Sequence, residues 1–141
     1  MVYGNFKSLY VDETHSSNPN TLYGILKKTA EDIVINLLDN YTIVRPIAVY
    51  GPNDSKDRVI TKWIKAALTD QHLIVNNPDH ILDFTYVEDI AIGLAKLSTN
   101  PSTGIYNMSK GGPVETMLDV AQHIVRITNS NLSLIHISEP T

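Results

Sequence analysis

The sequence predicts an α/β fold with an open, mainly parallel sheet. Two observations carry this. Strand-like runs alternate with helix-like ones at the spacing of βαβ units, and the strand runs are almost continuously apolar, as parallel strands covered on both faces must be. In chain order, Thr21–Leu38 has helical periodicity, with Thr21 as a cap and Ile25, Ala30, Ile33, Val34 and Leu37 as an apolar stripe. Tyr41–Tyr50 (YTIVRPIAVY) reads as one buried strand stopped by Gly51-Pro52. Val59–Leu68 is predicted helical, with Val59, Ile60, Trp63, Ile64 and Ala67 on one side. His72–Val75 and Phe84–Val87 are predicted to be extended, and a helix follows over Glu88–Leu97. Ile105–Met108 is a further strand and Glu115–Ile127 a further helix, while Leu132–Ile137 also has strand character.

Met1-Val2-Tyr3-Gly4 reads as the end of a strand and its turn with no strand body before it. A sheet starting there lacks partners for its central strands, so a longer parent domain is expected. The 141 residues are about one domain's worth, and 43% apolar content with a net charge of −4 is that of a soluble globular chain. The charge gives no general basic footprint, which argues against nucleic acid as a partner. With no cysteine, disulfides and thiolate metal sites are excluded. His15, His72, His80, His123 and His136 are scattered without ligand spacing, so no metal site is expected. No stretch approaches the ~18 apolar residues of a membrane span, and no cleavable signal pattern is read at the start. The expected location is cytoplasmic.

One pair of side chains suggests chemistry. Tyr23-Gly24-Ile25-Leu26-Lys27 spaces a phenol and an ammonium four residues apart on a helix. Residues so spaced share a face, with Cβ atoms roughly 5–6 Å apart. A phenol of ordinary pKa, about 10, is a poor base at neutral pH. A neighbouring cation favours its ionised form and brings it towards the range where acid–base catalysis is efficient. Taken alone, the spacing equally describes an amphipathic tyrosine beside a solvated lysine.

Around that pair the chain resembles the extended short-chain dehydrogenase/reductases, the NAD-dependent epimerase/dehydratase family, from Val2 to about Ile127. Val2-Tyr3-Gly4 is similar to the turn after the strand that carries the catalytic Ser/Thr. Asp12-Glu13, Asn18-Pro19 and Tyr23-Gly24-x-x-Lys27 resemble the family's loop and catalytic helix. Arg45-Pro46-Ile47-Ala48-Val49-Tyr50-Gly51-Pro52 resembles the strand R-x-x-N-x-Y-G-P. Asp83-Phe84-Thr85-Tyr86-Val87-Glu88-Asp89-Ile90-Ala91 resembles D-F-x-x-V-x-D-x-A, and Gly104-Ile105-Tyr106-Asn107-Met108 the late G-x-Y-N strand. These five landmarks stand in family order and at family spacing.

The resemblance implies part of a doubly wound, Rossmann-type parallel sheet lacking its N-terminal half, plus the small C-terminal substrate-binding portion. On that reading 1–52 ends the dinucleotide-binding domain, 53–130 is mainly the substrate-binding portion, and 131–141 is a non-native tail. The tail expectation rests on Ser133–Thr141 (SLIHISEPT), which leaves the family pattern and resembles a translated sequencing adapter. Tyr23 is implied as the general base that takes a proton from a sugar hydroxyl. Lys27 is implied as its partner, which also hydrogen-bonds the nicotinamide ribose. Ile47 falls where a residue closes over the nicotinamide, Ala48 where one contacts the substrate, Arg58-Val59 where the nucleotide part is met, and Ile74–Asn76 where its base or ribose is held. The implied cofactor is NAD, with NADP open because the discriminating residue belongs to the segment not present here. The implied substrate is a nucleotide sugar and the implied assembly a homodimer. A four-helix contact using Ile33, Val34 and Leu37 would build that dimer, although core packing explains those residues equally well.

Departures from the family pattern bear on substrate and reaction. None of the seven glycines builds the phosphate-binding G-x-x-G-x-x-G, so this chain is expected to bind NAD poorly and to be inactive alone. Ala48 stands for the usual asparagine, and Leu82 for the arginine that meets the diphosphate in many members. Arg58 is the expected substitute cation. Met1 occupies the position of a glutamate found in the dTDP-glucose 4,6-dehydratase type, which favours an epimerase if Met1 is an internal residue. Other reactions on the same scaffold (dehydratase, decarboxylase, reductase) and a non-catalytic NAD-binding module stay open. Retention of both Tyr23 and Lys27 argues against the last.

Overall fold

The computed structural model describes residues 2–6, 8–132 and 134–137. In chain order the elements are α1 (Leu22–Leu37), β1 (Thr42–Pro46), β2 (Val49–Tyr50), α2 (Val59–Leu68), β3 (Leu73–Asn76), β4 (Thr85–Tyr86), α3 (Val87–Thr99), β5 (Gly104–Met108), α4 (Met117–Ile127) and β6 (Leu134–Ile137). Among the described residues the strands form three two-stranded parallel sheets, β1 with β5, β2 with β4, and β3 with β6, besides one isolated antiparallel bridge between Ile81 and Thr116. Parallel neighbours need long crossovers, and helices supply them. The architecture is therefore the mixed α/β type that the alternation predicts.

The chain divides into two compact units, Met1–Pro46 with Ala91–Met108 and Ile47–Ile90 with Ser109–Thr141. The boundary falls between Pro46 and Ile47, and α3 carries the chain back across it. In the first unit, β1 and β5 run in register from Thr42↔Gly104 to Pro46↔Met108. That register sets Arg45 opposite Asn107, a juxtaposition on which the site depends.

The second unit holds an apolar core. Ile60, Trp63 and Ala67 from α2, Leu73 and Val75 from β3, and Ala121 and Ile124 from α4 form one buried cluster. Leu73 and Val75 are 0% exposed while Ile74 and Asn76 face outward, the alternation a strand with one covered face requires. The Trp63 indole N–H, which could not be buried unpaired, donates to the Ile74 carbonyl at 3.0 Å. Helix α2 spans the predicted residues. Helix α4 starts two residues later than its apolar pattern, because Thr116 caps it. The Thr116 hydroxyl accepts from the Asp119 N–H at 3.1 Å, and the Asp119 carboxylate accepts from the Thr116 N–H at 2.9 Å, a reciprocal capping box.

The predicted single strand Tyr41–Tyr50 is corrected to two, β1 and β2, separated at Ile47 and Ala48. Ala48 has φ of 38°, which breaks the extended geometry, and its carbonyl accepts from the Thr85 N–H at 3.2 Å. The halves pair with different strands in different units. Nor is the run uniformly buried: within β1 only Arg45 is. In the tail, the backbone of Leu134–Ile137 forms β6 beside β3. Ser133 and residues 138–141 lie outside the described residues.

The capping box generates a pH prediction. Hydrogen bonds from Thr116 hold the Asp119 carboxyl below its usual value of 3.8. A lowered folded pKa stabilises above the unfolded value and is lost as pH falls through the folded one. Asp119→Asn is expected to flatten the acid limb of stability against pH in urea titrations. Thr116→Ala should cost about 1 kcal/mol at neutral pH. An unaltered acid limb in Asp119→Asn would rule this account out.

Candidate functional site

Helix α1 presents the Tyr–Lys pair. Thr21 starts the helix by accepting the Gly24 N–H on its hydroxyl at 3.1 Å, which places Tyr23 in the first turn and Lys27 in the second. The Lys27 ammonium lies 5.6 Å from the centroid of the Tyr23 ring. Tyr23 is 63% exposed and Lys27 is exposed. Among the described residues neither polar end hydrogen-bonds another side chain. Free N–H groups of the first turn and the ammonium make the surroundings of the phenol electropositive.

One further turn along, Glu31 is buried and meets Arg45 of β1. The guanidinium grips the carboxylate with two bonds, Nε to Oε1 at 2.9 Å and Nη2 to Oε2 at 2.6 Å. Arg45 also donates from Nη1 to the Tyr3 hydroxyl at 2.6 Å, and its Cζ lies 4.7 Å from the centroid of that ring. The Tyr3 hydroxyl in turn donates to Oδ1 of Asn107 at 2.7 Å. Pairing with Glu31 raises the Arg45 pKa above its ordinary range against the opposing effect of burial, so the guanidinium is charged at every accessible pH.

The segment leading to α1 is tied to the same place. Gly4 has φ of 69°, and a Cβ built on it would stand 1.9 Å from the Asn18 carbonyl oxygen. The turn after Tyr3 and the Asn18-Pro19 segment can therefore meet only because residue 4 lacks a side chain. Between these ends, Glu13 accepts the Asn107 N–H at 2.6 Å, and the Asn107 amide donates to the Val11 carbonyl at 3.3 Å. The Thr14 hydroxyl donates to Asp12 at 2.5 Å and the Thr14 N–H at 2.9 Å, and together they hold its carboxyl below the usual value.

The remaining sequence-predicted residues belong to the second unit. Ile47 and Ala48 are half-buried at its start. Arg58 is the cap residue of α2, exposed, with Nε 3.6 Å from Asp54 Oδ1. Val59, the first residue of α2, packs against the apolar core. Of Ile74–Asn76, the Val75 side chain is committed to the core, which leaves Ile74 and Asn76 as the outward pair. Leu82 is half-buried, and beside it Asp83 accepts the Gly111 N–H at 3.5 Å on one oxygen. The nearby Lys110 ammonium pairs with Glu115 at 2.7 Å, which raises its pKa. Among the described residues no three His, Asp or Glu side chains gather as a metal site.

Sequence reasoning missed the roles of Tyr3, Glu31, Arg45 and Asn107. The usable signal was Arg45 itself. A charge inside an apolar β run must be paired if it is buried, and Glu31 was the acidic residue nearest in sequence to fall on the inner side of α1.

The NAD dependent epimerase/dehydratase family model matches residues 1–109. The spore coat polysaccharide biosynthesis protein SpsK of Bacillus subtilis (strain 168) is 35% identical over 95 residues, which are 67% of this chain and 32% of that protein. A putative UDP-glucose 4-epimerase of Methanocaldococcus jannaschii is 33% identical over 132 residues, 86% of this chain and 43% of that protein. The chain thus spans less than half the length of these relatives. Among solved structures, the UDP-N-acetylglucosamine 4-epimerase of Methanobrevibacter ruminantium M1 matches with a TM-score of 0.91 over 99% of this chain and 47% of its own, at 22% identity. The UDP-glucuronic acid 4-epimerase of Bacillus cereus, in complex with UDP-glucuronic acid and NAD, matches with a TM-score of 0.83 over 97% and 46%, at 26% identity. The chain therefore shares the mixed α/β fold, with parallel strand pairs, of these Rossmann-type proteins.

The approach at Gly4 makes a stability prediction. Gly4→Ala is expected to cost at least about 1–3 kcal/mol through backbone strain, before the contact with Asn18 is counted. It should lower the urea midpoint and speed proteolysis between residues 5 and 18. Wild-type values on both measurements would contradict the packed turn.

Proposed function

We propose that this chain, which belongs to the NAD dependent epimerase/dehydratase family, carries the acid–base centre of a nucleotide-sugar epimerase whose complete polypeptide is longer. The observation that carries the reading is the Tyr23–Lys27 pair, side by side on a capped helix with both polar ends open. Tyr23 removes the proton from a sugar hydroxyl and later returns it. Lys27 orients the phenol and keeps positive charge beside it. The same two groups fit the ribose end of a dinucleotide, since a phenol and an ammonium are the donors that ribose hydroxyls require. NAD, when bound, would supply reversible acceptance of the hydride that the sugar carbon loses and regains, so no second substrate would be needed. NADP is the alternative cofactor.

On the substrate side, Ile47, Ala48, Arg58 and Val59 are proposed to meet the nicotinamide and the nucleotide sugar. Arg58 is exposed and only loosely engaged by Asp54, which supports a role towards the diphosphate that Leu82 cannot fill. A homodimer is proposed through α1, where Ile33 and Leu37 are exposed and Val34 is half-buried. Core packing within the described residues does not use the first two. A cytoplasmic site of action is proposed; no described helix is long and apolar enough to cross a membrane.

Two measurements test the reading. In the longer protein, Tyr23→Phe is expected to lower turnover of a nucleotide sugar by about 10²- to 10⁴-fold while NAD binding is retained. Full turnover in that variant would remove Tyr23 from the chemistry. In titration calorimetry, NAD is expected to bind the N-terminally extended chain and not residues 1–141 alone, because the glycines here form no phosphate cradle. Tight binding by the short chain would contradict that assignment of the phosphate site.

A further inference from the structure

We propose that the buried Glu31–Arg45–Tyr3–Asn107 network is a positioning device that locks the rotation of α1 about its own axis and thereby sets where Tyr23 and Lys27 present their polar ends. The inference rests on the acid–base reading above. Glu31 follows Lys27 by four residues and Tyr23 by eight. Each four-residue step leaves a side chain offset by only about 40° from the previous one. The anchor and the working pair therefore lie on one slowly drifting strip of the helix, buried at Glu31 and open at Tyr23.

Among the described residues of the unit, the apolar packing of α1 is limited to half-buried Val34 and Ile35. Leu22, Ile25, Leu26, Ile33 and Leu37 are all exposed, and Gly24 and Glu31 are the buried residues of α1. Apolar contact is non-directional in any case. The Arg45–Glu31 fork is directional, because two parallel bonds fix the carboxylate plane as well as its distance. Arg45 cannot swing in its turn. Its third nitrogen is held by the Tyr3 hydroxyl, its Cζ lies 4.7 Å from the Tyr3 ring centroid, and Tyr3 is bonded to Asn107, the residue in register with Arg45 across the β1–β5 pair. Four segments thus converge on one guanidinium: the turn at Tyr3, α1, β1 and β5.

The magnitude is sufficient. A rotation of about 10° moves an atom ~6 Å from a helix axis by about 1 Å. Misplacement of about 1 Å at a reacting group can cost about 100-fold in rate. Glu31 and Arg45 act through Tyr23 and Lys27, so they are positioning residues and need no contact with substrate.

The test separates orientation from stability. In the longer protein, the double variant Glu31→Leu/Arg45→Met replaces the buried pair with apolar groups of similar volume, and its melting temperature is expected to match wild type. Its kcat is expected to fall about 100-fold with KM for the nucleotide sugar unchanged. Arg45→Lys keeps the charge but not the fork, and should show a smaller loss of kcat at wild-type KM. A double variant with wild-type kcat overturns the proposal. Losses of kcat that merely follow losses of melting temperature in both variants, or failure of both to fold, overturn it too, since the network would then be a stability element. Wild-type turnover that survives Tyr23→Phe would instead sink the acid–base reading, and this inference with it.

Discussion

The Arg45–Glu31 fork is the constraint around which the first unit is organised. Taking two charges out of water is costly, and attraction alone seldom recovers the cost. Here three of the five guanidinium N–H groups are used, two by a carboxylate and one by a hydroxyl, and an aromatic ring lies beside them. Once buried, the pair cannot shift by much without leaving a charge unpaired. The consequence is steep specification of geometry, more than net stability. Helix, strand and turn must meet in one arrangement or not at all.

The two units differ in what fills them. In the second, apolar side chains from α2, β3 and α4 pack together, and a core of that kind tolerates exchange of one aliphatic residue for another of similar size. In the first, the buried side chains are Tyr3, Glu31 and Arg45, while most of the apolar residues of α1 stay in the open. In a polar interior of that kind, exchange of one partner alone leaves a buried charge unpaired. Such an interior would suit the proposed task of holding a phenol and an ammonium at fixed angles. It also leaves an apolar surface on α1, formed by Leu22, Ile25, Leu26, Ile33 and Leu37.

How far the sequence could be read follows from how local each cause is. The span of α2 was legible because its apolar spacing and its packing agree, and the cap of α1 because Thr21 acts on its own turn. The Tyr–Lys pair was legible for the same reason, being set by helix geometry alone. The break in Tyr41–Tyr50 was not, since the apolar pattern runs straight through it. That break comes from pairing: β1 joins β5, some sixty residues on, and β2 joins β4. The network around Arg45 was hidden similarly. Its members are separated by 14, 42 and 104 positions along the chain, and only the β1–β5 register brings Asn107 opposite Arg45.

Ala48 shows what such pairing can impose on a residue unsuited to it. A left-handed backbone costs a side-chain-bearing residue about 1–2 kcal/mol, and asparagine escapes part of that cost by bonding locally. The asparagine usual at this position in the family pattern would therefore serve twice, easing the turn and offering an amide to a ligand. Alanine does neither, yet the turn is kept, with the Ala48 carbonyl bonded to Thr85 and the β2–β4 pair closing directly after it. The backbone path at the boundary of the two units is thus set by strand pairing and does not need the side chain.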